Sequence, residues 1–200
     1  LVFDAATHAA LGEIAVGNAP AGLVASPDSR TAWVANRDDN VVGVLDLAQM
    51  KQVSTIAVGN HPFALELSAD GRTLYALNVW SNDVSVVDIA QQRTVATLPV
   101  GKGPYGIAFS DDGARAYVTN QQGDSVSVID TAQRQVIATW PSVVYPEGVA
   151  VTGNTLLVVS WMDDLVGVFD AQTGAARGTI DLGRNPRGFG RFIHRPPPVH

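Results

Sequence analysis

Three observations predict an all-β fold, a β-propeller of four-stranded blades about 42 residues each. The first is a repeat. Prolines fall at Pro20, Pro62, Pro104, Pro146 and Pro186, and aspartates at Asp4, Asp46, Asp88, Asp130 and Asp170, so both series step by 42, 42, 42 and 40 residues. Such self-similarity sets the architecture before any local reading. The second is texture: short runs rich in β-branched residues, with turn signals every 8–12 residues or so. The third is the lack of any sustained 3.6-residue period, which predicts almost no helix. A sandwich would not keep so strict a period, and a β-solenoid would repeat at shorter intervals. Repeated four-stranded units of this length form a propeller.

The copy from Val100 to Asp130, VGKGPYGIAFSDDGARAYVTNQQGDSVSVID, is the clearest. Its first strand is Pro104–Phe109, closed by Ser110-Asp111-Asp112-Gly113, where the glycine supplies a positive φ. The second is Ala116–Asn120, followed by the turn Gln121–Asp124. The third, Ser125–Asp130, alternates Val126 and Val128 with Ser127. Thr131–Arg134 turns the chain into the fourth, Gln135–Trp140. Val58–Asp88 and Val16–Asp46 repeat this order, and a weaker copy runs from Tyr145 to Asp170. Two residues past each proline stand Gly22, Ala64, Gly106, Gly148 and Gly188. Small residues there suit close backbone approach where first strands crowd. No helix follows these glycines, as a phosphate-cradling loop would require. Asp46, Asp88, Asp130 and Asp170, like Asn36, Asn78 and Asn120, recur in copy after copy. They are expected to hold turns rather than to catalyse, since a catalytic residue is needed once.

At 46% hydrophobic and 16% charged, the chain can bury a core. Its net charge of −6 disfavours an electrostatic grip on nucleic acid or anionic lipid. The place for a local basic patch is near Arg184, Arg187, Arg191 and Arg195. With no cysteine, disulfide and thiolate chemistry are excluded. No apolar run approaches the ~18 residues that span a bilayer. The four histidines, His8, His61, His194 and His200, show no ligand spacing, and no nucleophile or phosphate-loop motif is present. The sequence thus points to no cofactor, no metal and no catalytic residue.

Tyr117-Val118-Thr119-Asn120, with the variants Trp33-Val34-Ala35-Asn36 and Tyr75-Ala76-Leu77-Asn78, resembles the signature of the YVTN family of β-propellers. Val-Gly-x-x-Pro before it, Ser-x-Asp-Gly within it and Val-Ser-Val-x-Asp after it extend the resemblance over nearly the whole chain. The fourth copy departs from it, with Leu156-Leu157-Val158-Val159-Ser160 and the short hairpin Thr152-Gly153-Asn154. The resemblance implies a bacterial or archaeal protein, exported to the periplasm or cell surface, and a seven-bladed ring.

One propeller domain is expected over residues 1–193. Residues 1–16 end one blade, 17–58, 59–100, 101–142 and 143–182 form four complete blades, and 183–193 give the first strand of a closing blade. Residues 194–200 form a Pro-rich tail. Because both chain ends offer parts of blades, the expectation is a C-terminal piece of a seven-bladed protein, with a complete five-bladed ring as the alternative.

Function is expected where the copies disagree. Loops before first strands and between second and third strands should share one face at the mouth of the channel, and loops on rigid scaffolds are where binding resides. The candidates for ligand or partner binding are His61, Trp80, Lys102, Tyr145, Glu147, Trp161 and Arg187. Trp80 and Trp161 could stack on a ligand, or pack on a neighbouring blade. Asp39, Asn82, Asp124 and Asp164 are expected to cap turns. The leading reading is a non-catalytic binding module for a protein or small-molecule ligand. The resemblance admits a subunit of a quinone- or haem-dependent oxidoreductase, or a lactonase-like enzyme. Single-stranded nucleic acid is the weakest reading, since 13 basic residues face 19 acidic ones.

Overall fold

A computed structural model describes residues 1–184 and 186–188. The short pair β1 (Val2–Phe3) and β2 (Ala10–Gly12) precedes four sheets. The first sheet holds β3 (Pro20–Ala25), β4 (Thr31–Asn36), β5 (Val41–Asp46) and β6 (Lys51–Ala57). The second holds β7 (Pro62–Leu67), β8 (Thr73–Asn78), β9 (Asp83–Asp88) and β10 (Arg93–Pro99). The third holds β11 (Pro104–Phe109), β12 (Arg115–Asn120), β13 (Ser125–Asp130) and β14 (Gln135–Pro141). The fourth holds β15 (Pro146–Thr152), β16 (Thr155–Ser160), β17 (Leu165–Asp170) and β18 (Ala176–Asp181). Each sheet is a meander in which every strand bonds to the next in sequence. In the clearest copy the first and third strands end where the sequence places them. The second begins one residue earlier, at Arg115, and the fourth ends one later, at Pro141. Among the described residues, two single 3-10 turns, Arg37–Asp39 and Gln121–Gly123, are the helical content.

The described residues form two compact units, one over residues 1–97 and one beginning at Leu98. In the first, Trp33, Val42 and Val44 pack with Leu65, Leu74 and Val87 between two sheets. In the second, Tyr117, Val126 and Val128 pack with Val149, Leu156 and Phe169. Burying each such side chain is worth about 1.5–3 kcal/mol, so these faces hold the blades together. The signature tyrosine does more than fill space. Tyr117 is 2% exposed, and its hydroxyl donates to the Ala171 carbonyl at 2.6 Å, tying the third sheet to the fourth.

First strands approach each other as the small residues require. A Cβ at Gly22 would strike the Phe63 carbonyl, one at Gly106 the Glu147 carbonyl, and one at Gly148 would lie 2.6 Å from the Gly188 oxygen. Thr119 Oγ1 bridges the same contact, donating to the Glu147 carbonyl and accepting from the Gly106 N–H, both at 2.8 Å.

Every first strand slips register just after its proline, between Pro20 and Leu23, Pro62 and Leu65, Pro104 and Ile107, and Pro146 and Val149. Such irregularities re-aim the residues they carry.

The repeated aspartates do hold the turns after third strands. Asp46, Asp88 and Asp130 accept backbone N–H bonds from Gln49, Gln91 and Gln133. Asp170 accepts from Gln172 and Thr173, and Asp4 from Ala6 and Thr7. The fourth sheet's first hairpin is the short one expected, with Gly153 at φ 54°. Asn36, Asn78 and Asn120 are fully buried, and the Nδ2 groups of Asn78 and Asn120 donate to serines two residues along the adjacent third strand, Ser85 and Ser127.

Of the expected closing strand, residues 183, 184 and 186–188 are described and carry no strand. The rest of it lies outside the described residues, as do His194, His200 and the tail. Among the described residues no helix is long and apolar enough to cross a membrane.

Candidate functional site

Two aromatic clusters stand on the loops that flank the first and second strands. In the first unit, His61 immediately precedes Pro62 and takes a left-handed backbone, φ 58°. Asn40 fixes that turn by accepting the His61 N–H on its side-chain oxygen at 2.9 Å. The imidazole so placed lies flat on the Trp80 indole, with centroids 4.0 Å apart and planes 7° from parallel. Trp80 is 69% exposed, so its other face is open. His61 Nδ1 lies 3.8 Å from the Asp38 carboxylate. Burial lowers the His61 pKa, the charge of Arg37 lowers it further, and Asp38 opposes both. The ring is thus held toward its neutral form.

In the second unit, Tyr145 takes the place of His61, with φ 53° and its N–H donated to Asp124 Oδ1 at 2.8 Å. Its ring meets Trp161 at 5.2 Å with planes tilted 53°. Arg187 lies over the same indole, Cζ 4.4 Å from the ring centroid. Glu147, one residue past Pro146, is 1% exposed. Gln121 Nε2 donates to its Oε1 at 2.9 Å, while Oε2 has no hydrogen-bond partner. Burial pushes the Glu147 carboxyl above its ordinary value, against the pull of Arg187 and Gln121.

The structure therefore brings six of the seven expected residues into two groups: His61 with Trp80, and Tyr145 and Trp161 with Arg187 beside Glu147. Lys102 stands apart. It is exposed, and its contact in the site is made by its backbone, whose carbonyl accepts the Gln122 N–H at 3.1 Å. Trp80 stacks within its own blade, on the loop that precedes β7, rather than on a neighbour. Asp39 and Asp124 tie loops together rather than capping their own turns, Asp39 accepting the Asn18 N–H at 2.7 Å and Asp124 the Tyr145 N–H at 2.8 Å.

Gln121 was not among the expected residues. Its signal lay in the copies: the position after the signature reads Arg37, Val79, Gln121 and Trp161, and the position after each proline reads Ala21, Phe63, Tyr105, Glu147 and Arg187. Both vary in chemistry directly after positions that hardly do, the Asn or Ser closing the second strand and the proline opening the first. Among the described residues no group of three or more His, Asp or Glu is placed to hold a metal ion.

The chain is similar in structure to hydrazine synthase from Kuenenia stuttgartiensis, with 27% identity and a TM-score of 0.74 over 89% of this chain and 52% of that one. It is also similar to dihydro-heme d1 dehydrogenase NirN in complex with DHE, at 20% identity and a TM-score of 0.72, over 88% of this chain and 40% of that one. The chain thus spans about half, or less, of each of these proteins. No curated protein matches it. Residues 13–115 match the sequence profile of the YNCE-like beta-propeller, and the chain belongs to that family of propellers.

Proposed function

We propose that this chain is a non-catalytic binding propeller of the YVTN-repeat type, working in the periplasm or at the cell surface. Its loop face holds a protein or small-molecule ligand. One observation carries the reading: Trp80 is 69% exposed, yet held flat against His61 at 4.0 Å. An indole so backed has already lost its rotational freedom, so a ligand that stacks on the open face does not have to order it. Asp38, 59% exposed beside His61, adds a carboxylate at the edge of the platform. A cationic or hydroxyl-bearing group stacked on Trp80 would meet it.

Peptide and glycan arrays probed with labelled wild type and Trp80→Ala test this. At least one array feature should bind the wild type and lose tenfold or more in affinity with the variant, while the variant keeps its melting temperature. Arrays on which the two proteins behave alike would remove this face from consideration.

The second reading is a propeller subunit of an oxidoreductase, supported by the likeness to hydrazine synthase at 27% identity. A visible chromophore in the protein purified from its native cells would favour it over the binding module.

A further inference from the structure

The loop cluster of the second unit contains an arginine that is fixed in place with no hydrogen-bonded or ion-paired partner among the described residues. Arg187 is exposed. Its guanidinium lies on Trp161, whose ring is braced in turn by Tyr145. Stacking engages the face of a guanidinium and leaves its N–H donors in the plane, as a rigid fork. The Trp161 ring lies beneath its guanidinium, and its charge acts on the Glu147 carboxyl.

Glu147 could have formed a salt bridge with it. Instead Oε1 takes the Gln121 amide and Oε2 has no partner. The arrangement is peculiar to this blade. The positions of Glu147 and Arg187 carry Ala21, Phe63 and Tyr105 in the other copies, and the position of Trp161 carries Arg37, Val79 and Gln121. The backbone of the segment is also set closely, since Gly188 lies against Gly148.

We propose that Arg187, seated on Trp161 and braced by Tyr145, is a receptor for a carboxylate, which it takes through two parallel N–H donors, and that Glu147 limits its affinity. A carboxylate matches the fork in a way a point charge does not. The two rings supply an apolar wall for the body of the acid. The proposal does not rest on the Trp80 platform.

The full chain, labelled with 15N, is titrated with sodium benzoate at ionic strength held constant with sodium chloride. The indole N–H signals of its four tryptophans are followed. Trp161, assigned with Trp161→Phe, should shift saturably while Trp33 and Trp140 do not. Arg187→Lys keeps the charge but loses the fork, and should weaken binding tenfold or more. Glu147→Gln should tighten it several-fold, and Trp80→Ala should leave it unchanged. Comparing an acetylated dipeptide with its C-terminal amide separates the sources. Tighter binding of the free-acid peptide than of benzoate marks a protein C-terminus, and equal binding marks a free organic acid. A Trp161 signal that does not saturate, an Arg187→Lys protein that titrates like the wild type, or a response to inorganic phosphate with none to benzoate would overturn the proposal.

Discussion

The two aromatic clusters use corresponding loops of their blades, yet one is open and the other half-buried. His61 and Tyr145 are equivalent: each precedes the proline of a first strand, and each has a left-handed backbone. The tryptophans are not. Trp80 stands two residues past Asn78, where the other copies carry Asp38, Gln122 and Met162, all exposed. Trp161 stands one residue past Ser160, where the other copies carry Arg37, Val79 and the buried Gln121. A shift of one residue in this loop therefore exchanges an outward side chain for one turned toward the next first strand. Gln121 reaches Glu147 that way, and Trp161 meets Arg187. Exposure of an aromatic here is a matter of register more than of residue type.

The comparison can be tested at decreasing scales. The largest effects should come from the scaffold that the two units share. Gly22→Val in the first unit and Gly106→Val in the second each push a side chain into a neighbouring carbonyl. Each should cost about 3 kcal/mol, a fall of roughly 6–12 °C in a thermal melt for a chain of this size. Circular dichroism would show whether the two variants lower one common transition or split it in two. A split would mean that the units unfold separately.

Next come the tryptophans. Trp161→Ala removes both the tilted pair and the cation contact, and should cost about 1–2 kcal/mol. Trp80→Ala, at an exposed site, should stay within about 0.5 kcal/mol of wild type. Equal losses in a urea titration would refute the register argument.

Glu147 gives a smaller and pH-dependent effect. Its folded-state pKa is raised, chiefly by burial. Its contribution to stability is therefore complete below the ordinary carboxylate value, near about 4.3, and is lost as pH rises through the folded value. Glu147→Gln escapes that loss. It should melt about 2–4 °C above wild type near pH 8, with the gap closing toward pH 4.

His61 gives the smallest. Its pKa is lowered, first by burial, so its contribution is complete above about 6.5 and is lost as pH falls through the folded value. Trp80 emission should change over that acid range and stop changing in His61→Gln.

The scaffold was legible in the sequence because its determinants are local and repeated. Asp130 and Gln133 are three residues apart, so the turn that they close can be read from one copy and checked in the next. The glycines could be read for the same reason, since their position in the repeat announced crowding. The clusters were legible only as a set of odd residues. Which of them touch is decided between loops far apart in sequence, Gln121 with Glu147 and Trp161 with Arg187, and by which position of the loop after the second strand a residue occupies. Lys102 shows the limit of the argument: it differs from its counterparts as the others do, yet its side chain joins neither cluster. Oddness marks freedom to vary, and contact has to be read from the fold.

The register slip after each proline has a practical consequence. It uncouples one residue per blade from the pleat, so that Ala21, Phe63, Tyr105 and Glu147 occupy the same mounting without altering the ladder that follows. An engineer could treat these positions as interchangeable sockets. Placing Tyr105's side chain at position 147 would reprogram one blade, and transplanting Glu147 with its Gln121 partner would reprogram two adjacent ones, in each case leaving the strand ladders as they are.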